Sequence, residues 1–174
     1  MKIRLLIVAI TLLAINNPSI LVQAEPATVS VSQPDLKVSA YNLTKELKHI
    51  EKRQQLKRVV KYLTTRVHKT SYVFSGSSVS GWDCSGLVRY TYKRLGITLE
   101  HSANKQGHVG TRVSKPKVGD IVVFAYTGST NFYHSAIYTG NGLIINANSM
   151  YKTTVIQPLT DFKQSQIRFV RVIK

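Results

Sequence analysis

The sequence predicts an α+β domain in which helices come first along the chain and antiparallel strands follow. Between residues 42 and 95, apolar side chains recur at three- and four-residue intervals, which is the spacing of amphipathic helices. From residue 121 onward, short apolar runs alternate with turns rich in Gly, Asn and Pro, which is the pattern of consecutive strands. The 174 residues contain no internal repeat and suffice for one domain with a core. Helices followed by hairpin-connected strands define the α+β class.

Residues 1–24 have the three parts of a secretory signal peptide. Lys2 and Arg4 precede an apolar run at residues 5–15, and a small-residue cleavage site ends at Ala24. Because this run is short for a hydrocarbon layer of about 30 Å, we expect cleavage and no integral membrane span afterwards. The expected location is secreted or periplasmic, in the cell envelope. A single cysteine in an exported chain predicts that the domain has no internal disulfide.

The next two segments differ in composition. Residues 25–41 contain Pro, Ser and Thr and are predicted to be irregular. Residues 42–70 are predicted to form a basic helical segment, in one piece or in two divided near residues 52–54, with apolar side chains on one face. The basic residues of the opposite face are Lys45, Lys48, Lys52, Arg53, Lys57, Arg58, Lys61, Arg66 and Lys69.

The charge of the chain restricts its partners. There are 24 basic and 8 acidic side chains, for a net charge of +16, so anionic polymers are attracted at long range. For an exported protein we expect anionic cell-envelope polymers, bound by the basic helical segment. A merely solvated face explains the charge run equally well, and a helix lying on a membrane surface is less favoured. Nucleic acid is not an expected partner, because no nucleic-acid-binding motif is recognisable.

The only cysteine stands where a helix is predicted to begin. After Cys84, apolar residues at helical spacing continue to Leu95, and Gly96 closes the helix. Asp83 then occupies the N-cap, and Cys84 lies in the first turn, where free N–H groups and the helix dipole favour a thiolate. The same N–H groups can hold an oxyanion. A lone cysteine is more often a buried apolar residue, so the chemistry also requires a base.

The rest of the chain is predicted to form the sheet. Residues 72–74 are a short β-prone run, and residues 97–112 form a loop with at most one helical turn. The near-continuous apolar run at residues 121–126 predicts a central strand. The further predicted strands are residues 134–139 and 143–147, which form a hairpin, and residues 153–156 and 167–173.

Of the five histidines, His134 is the best candidate base, because it opens a hairpin strand that can aim its ring. A catalytic imidazole also needs a partner that orients its second nitrogen. A two-residue loop at residues 141–142 would place Asn146 on the opposite face of the hairpin. A three-residue loop at residues 140–142 would set His134 opposite Asn148, with Asn146 diagonal on the same face. We predict the three-residue loop, with Asn146 as the orienting residue and Asn148 as the second choice.

Four stretches, at residues 72–76, 83–88, 119–124 and 134–142, together resemble the NlpC-type family of cell-wall cysteine peptidases in order and spacing. The resemblance extends from about residue 59 to the end. It implies a papain-like core at residues 71–174, in which a helix bearing the cysteine packs on an antiparallel sheet bearing the histidine. It also implies cleavage of peptidoglycan stem peptides, commonly between γ-linked D-glutamate and a diamino acid, without a metal or other cofactor.

The resemblance assigns three catalytic positions. Cys84 matches the nucleophile, His134 the general base and Asn146 the third polar residue. That third position is most often histidine in this family, but an amide oxygen can also accept the imidazole N–H.

Three further positions match the substrate-binding side of such a site. Tyr72 matches a tyrosine that lines the site and assists the oxyanion. Asp83 and Ser85 match residues beside the nucleophile that help to bind the amine end of the substrate.

The expected function is therefore that of a peptidoglycan hydrolase that cleaves stem-peptide amide bonds through a cysteine nucleophile. Two alternatives stay open at this stage: a non-catalytic cationic envelope-binding protein, and an amidase or acyltransferase that uses the same Cys-His site. A metal site is not expected, because one cysteine and scattered histidines give no ligand pairs at metal spacing.

Overall fold

A computed structural model describes residues 33–173, and the expected signal peptide at residues 1–24 lies outside them. The predicted α+β class is confirmed. The helices are α1 (Gln33–Thr64), α2 (Cys84–Lys93) and α3 (Ala103–Gln106), and a 3₁₀ turn spans Leu159–Phe162. The strands are β1 (Ser77–Ser78), β2 (Gly81–Trp82), β3 (Thr111–Val113), β4 (Ile121–Tyr126), β5 (Phe132–Gly140), β6 (Leu143–Asn148), β7 (Thr153–Pro158) and β8 (Ser165–Arg171).

Six of these strands form one antiparallel sheet in the order β3-β8-β4-β5-β6-β7. Strand β4 is central, as its apolar run predicts, and its residues 121–125 are all buried. Strand β8 pairs with β3 on one side and β4 on the other, so the last described strand lies inside the sheet. The neighbouring strands β5 and β6 bring the two halves of the predicted hairpin together.

The two faces of the sheet bury different sets of side chains. On one face, Leu87 and Val88 of α2 belong to the same core as Ile137 and Ile145. On the other face, a smaller core contains Phe124 and is covered by residues of the 3₁₀ turn and of β8. Helix α2 therefore lies against the middle of the sheet, and its first residue lies beside strand β5.

Helix α1 corrects two expectations. It begins at Gln33, so residues 33–41 are helical rather than irregular, and it is continuous through residues 52–54. It also ends at Thr64, and residues 65–70 form turns. Residues 35–64 are rich in Leu, Lys, Glu and Gln, which have high helix propensity. Pro34 is tolerated because it lies in the first turn, where its missing N–H is not needed.

The chain divides into two units within α1, and the larger unit comprises residues 48–174. In the larger unit, the end of α1 contributes Leu56, Val59, Val60 and Leu63 to the main core. The helix thus supplies part of the domain interior as well as a basic surface.

One basic residue of α1 does not belong to that surface, contrary to expectation. Arg53 is partly buried and pairs with the fully buried Asp120 at 3.3 Å. Asp120 also accepts hydrogen bonds from Arg171 of β8, the shortest at 2.7 Å. A buried carboxylate requires such partners, so Arg53 is drawn inward. The cluster joins α1 and β8 to the turn before β4.

None of the helices in residues 33–173 has the length and apolar character needed to cross a bilayer.

Candidate active site

The predicted helix start is confirmed. Helix α2 begins at Cys84, and the Asp83 side chain caps it, because Oδ1 accepts a hydrogen bond from the Gly86 N–H at 2.7 Å. Cys84 is partly exposed on a cleft of about 500 Å³. The cleft is also lined by Tyr72, His101 and Tyr133. A nucleophile at this position can therefore be reached by a peptide-sized molecule.

The expectation of a thiolate at rest is not met. Burial raises the pKa of Cys84 above its ordinary value, and the nearby negative charge of Asp83 raises it further. Hydrogen bonds from the backbone of Ser135 and Ser85 lower this pKa, but burial outweighs them. Cys84 is therefore a neutral thiol in the free protein, and its proton would have to be removed before the sulfur could act as a nucleophile.

The sulfur of Cys84 lies beside the strand that bears the candidate base. The backbone and hydroxyl of Ser135, the residue that follows His134 in β5, lie close enough to the sulfur to lower the pKa of Cys84. Helix α2 and strand β5 thus place the sulfur of Cys84 beside Ser135, one residue after the candidate base.

The structure places Asn146 on the same face of the hairpin as His134, as predicted. Asn146 is fully buried, and its Oδ1 lies 3.1 Å from Nε2 of His134. An amide oxygen only accepts, so Nε2 carries the proton and Nδ1 of the neutral ring is left as the acceptor. Burial lowers the pKa of His134 to about 4, although the bond to Asn146 acts in the opposite direction.

The turn that produces this register differs from the predicted one. Gly140 pairs with Leu143, so the loop has two residues, and both Asn141 (φ 53°) and Gly142 (φ 73°) are left-handed. This is the strongly preferred Asn-Gly hairpin loop. An irregularity between Tyr138 and Gly140 then shifts the pairing by one residue. This shift places Asn146 on the face of the hairpin that a three-residue loop would have given it. The predicted register was therefore right and the predicted turn was wrong.

A further chain of hydrogen bonds holds Asn146. Its Nδ2 donates to Oε1 of Gln157 at 3.1 Å, and Nε2 of Gln157 donates to Asp161 at 3.3 Å. Asn148, the second choice, also donates to Oε1 of Gln157, at 3.0 Å, whereas it is Asn146 that contacts the imidazole. Gln157 was not predicted, because its contacts with β6 depend on the pairing of β7.

Two aromatic rings enclose the imidazole of His134. Phe162 of the 3₁₀ turn stacks on it with ring centres 5.9 Å apart and planes within 14°. Phe124 of β4 lies 5.6 Å away. These rings cover part of the imidazole, and its burial is the main cause of its lowered pKa.

The carboxylate of Asp83 is already satisfied by protein groups. In addition to Gly86, it accepts from the Ser85 hydroxyl at 3.0 Å and from the Ser75 N–H at 2.9 Å. His101 Nε2 lies 2.8 Å from the same carboxylate. Sequence reasoning left His101 in a loop of unknown conformation, and only a motif spanning residues 83 and 101 would have linked the two.

Gln106 is a second residue that sequence reasoning missed. It is 1% exposed and joins both halves of the site. Its Nε2 donates to the carbonyl oxygens of Ser85 and Glu100 at 2.9 and 2.8 Å, and its Oε1 accepts from the Ser135 hydroxyl at 2.9 Å. The residues that follow Cys84 and His134 are thereby tied to one side chain.

Tyr72 lies in the wall of the cleft. Burial raises the pKa of its hydroxyl, and the nearby Cys84 and Asp83 raise it further. Tyr72 is therefore a neutral hydrogen-bond donor beside the sulfur. Within residues 33–173, no three His, Cys, Asp or Glu side chains are grouped so that they could hold a metal ion.

A cysteine at a helix N-terminus, packed on an antiparallel sheet that presents a histidine and its amide partner, defines a papain-like domain. Residues 69–172 match the model of the NlpC/P60 family, and the chain belongs to this family. The "NlpC/p60 domain of peptidoglycan hydrolase SagA" has the same fold, with a TM-score of 0.56 and 28% identity over 65% of this chain and 96% of that one.

Two curated relatives come from bacilli. The "Gamma-DL-glutamyl hydrolase" of Bacillus subtilis is 40% identical over 104 residues, which are 58% of this chain and 25% of the relative. The "Gamma-D-glutamyl-L-lysine dipeptidyl-peptidase" of Bacillus cereus is 34% identical over 91 residues, 51% of this chain and 27% of the relative. The chain spans about a quarter of the length of these relatives.

Proposed function

We propose that the protein is a cysteine endopeptidase of peptidoglycan that cleaves the amide bond between γ-linked D-glutamate and a diamino acid in stem peptides. The observation that supports this most directly is the sulfur of Cys84, held at a helix N-terminus beside the residue that follows His134. The names of the two bacillar relatives both specify a γ-glutamyl bond, which supports the choice of bond.

The proposed reaction starts from a neutral pair. Nδ1 of His134 takes the thiol proton, because Nε2–H is engaged by Asn146. The thiolate then attacks the scissile carbonyl carbon, and the new oxyanion is held by backbone N–H groups at the start of α2 with the Tyr72 hydroxyl. The C–N bond breaks as the imidazolium of His134 protonates the leaving amine. Water, deprotonated by the same imidazole, releases the acyl group and restores the thiol.

Substrate binding assists the first proton transfer. The neutral thiol of Cys84 and the neutral imidazole of His134 carry no charge, so burying them costs little free energy. The thiolate–imidazolium ion pair forms only when a substrate carbonyl is present to accept the attack. Asn146 stabilises the imidazolium by holding its ring plane and accepting its N–H.

Asp83 and Ser85 have a different role in this proposal from the one the resemblance implies. Because the Asp83 carboxylate already accepts from four groups, we assign it to capping α2 and orienting His101. Its negative charge still attracts the amine end of a stem peptide to this end of the cleft.

The cell envelope is the proposed location, and its anionic polymers are proposed partners of the basic surface of α1. In the larger unit, this surface consists of exposed basic side chains, Lys48, Lys52, Lys57, Arg58 and Lys61. Its attraction should weaken as salt is added.

Mass spectrometry of peptidoglycan fragments incubated with the purified protein tests the proposal. New fragments that end in γ-linked D-glutamate, absent with Cys84→Ala and His134→Ala, are expected. His49→Ala is the matched control, since His49 lies on α1, and it should remain active. Intact fragments with all four proteins would contradict the enzyme and favour a non-catalytic envelope-binding protein. Cleavage of a different amide would favour the amidase alternative.

A further inference from the structure

A second cavity adjoins the cleft that contains Cys84. It has a volume of about 290 Å³ and is lined by Tyr133 and residues 160–165. Tyr133 also lines the cleft, so this one side chain stands between the two spaces. Its hydroxyl is 2.7 Å from the Ser165 hydroxyl, which fixes the ring in that position.

The second cavity lies on the side of the site where the imidazole is found. Phe162 lines the cavity and stacks on His134, and Tyr133 precedes His134 and stacks on it with ring centres 6.4 Å apart. In the proposed reaction the leaving amine takes its proton from His134, so it must lie within reach of that ring. The leaving residue therefore extends past His134 toward this cavity, whereas the acyl part occupies the end of the cleft lined by Asp83 and His101.

The cavity has charges that suit a diamino acid. Asp161 and Lys163 both line it, two residues apart. Gln157 donates to Oδ2 of Asp161 at 3.3 Å, which directs the carboxylate. Across the part of the chain that the structure describes, the ion pairs involve Asp120 and Asp83, and neither Asp161 nor Lys163 takes part in one. An amine can thus reach Asp161, and a carboxylate can reach Lys163.

We propose that this cavity is the subsite for the leaving residue, and that Asp161 binds the side-chain amine of a diamino acid there. The inference rests on the proposed cleavage at γ-linked D-glutamate, and it adds the residues that select the amino acid on the far side of the bond. Lys163 would face the carboxylate or the next carbonyl of the same residue.

The test compares two peptides, L-alanyl-γ-D-glutamyl-L-lysine and the same peptide with its lysine side chain acetylated. The measured quantity is the ratio of their kcat/KM values. We expect the free amine to be preferred by about fivefold, the upper range for a solvent-accessible ion pair. Asp161→Asn should bring the ratio close to one. Asp161 is also linked to His134 through Gln157 and Asn146, so Asp161→Asn can change the rate of the reaction itself. That change affects both peptides equally and therefore cancels in the ratio of their kcat/KM values.

Two variants serve as controls. Glu51→Gln removes an exposed carboxylate of α1 outside the cavity and should leave the ratio unchanged. Asp161→Lys should reverse the preference in favour of the acetylated peptide. A wild-type ratio of one, or an unchanged ratio in Asp161→Asn, would overturn the proposal.

A binding measurement separates this proposal from the proposed function. Calorimetric titration of both peptides into Cys84→Ala needs no cleavage. Amine-dependent binding that Asp161→Asn abolishes would support the subsite even if the wild-type protein cleaved neither peptide. Equal binding of the two peptides would refute the subsite while cleavage at γ-linked D-glutamate could still be observed.

Discussion

Replacing Gln106 by leucine should loosen the site from within the core while keeping the volume of the side chain. Gln106 makes three hydrogen bonds of 2.8 to 2.9 Å, to Ser85, Glu100 and Ser135. Leucine makes none. Water can replace the bond to Glu100, which is exposed, but not those to Ser85 and Ser135, which are 6% and 0% exposed.

The expected cost follows from these two buried partners. A buried polar group left without a partner costs about 1–3 kcal/mol, so Gln106→Leu should lower the free energy of unfolding by about 3 kcal/mol. Domains of this size are stable by about 5–15 kcal/mol, so the variant should still fold. Its Tm should fall by about 10 °C.

Urea unfolding of the variant measures this loss, with Gln55→Leu as the matched control. Gln55 is exposed and donates only to the carbonyl oxygen of Arg94, so its replacement should cost less than about 0.5 kcal/mol. The folded Gln106→Leu protein should also have a lower kcat, because Ser85 and Ser135 follow Cys84 and His134 in the chain. A loss of stability below about 1 kcal/mol for Gln106→Leu, at unchanged m value, would refute this reasoning.

Three other predictions concern the proposed catalytic residues. The folded protein keeps His134 neutral down to a pKa of about 4, against an ordinary value of 6.5, so it binds fewer protons than the unfolded chain between these pH values. The contribution of His134 to stability should therefore be lost as the pH falls from about 6.5 to 4. Urea unfolding at several pH values should show a flatter dependence for His134→Gln, and equal slopes would contradict this. Because burial raises the pKa of Cys84 above 9.0, its alkylation by iodoacetamide should keep accelerating through pH 9, and a plateau below pH 7 would contradict a neutral resting thiol. Asn146→Ala should lower kcat about tenfold through loss of one orienting hydrogen bond, with partial recovery in Asn146→His; an unchanged kcat would exclude an orienting role.

The local parts of the site could be predicted from sequence because each depends on a few adjacent residues. Asp83 and Cys84 are placed by the start of one helix, and a helix start is determined by its cap and the apolar spacing that follows. His134 and Asn146 are related by one hairpin, so only the register was in question. The register was predicted correctly, but the turn was not. The irregularity in β5 that compensates for the two-residue loop has no signal in the sequence.

The other features depend on contacts between distant parts of the chain. His101, Gln106 and Gln157 reach the site from a loop, a short helix and an edge strand, and no local pattern relates them to Cys84 or His134. The pKa of Cys84 was predicted in the wrong direction for the same reason. The helix start is visible in the sequence, but the burial that outweighs it results from packing of the whole domain.

The position of β8 inside the sheet has a consequence for the order in which the domain can form. While the ribosome is still adding residues 165–171, β4 has one unpaired edge and β3 has no partner at all. The sheet therefore cannot close during synthesis until these residues have emerged, and Arg171 reaches Asp120 only then. An open central edge is a hazard for aggregation, but it also delays commitment to the final structure.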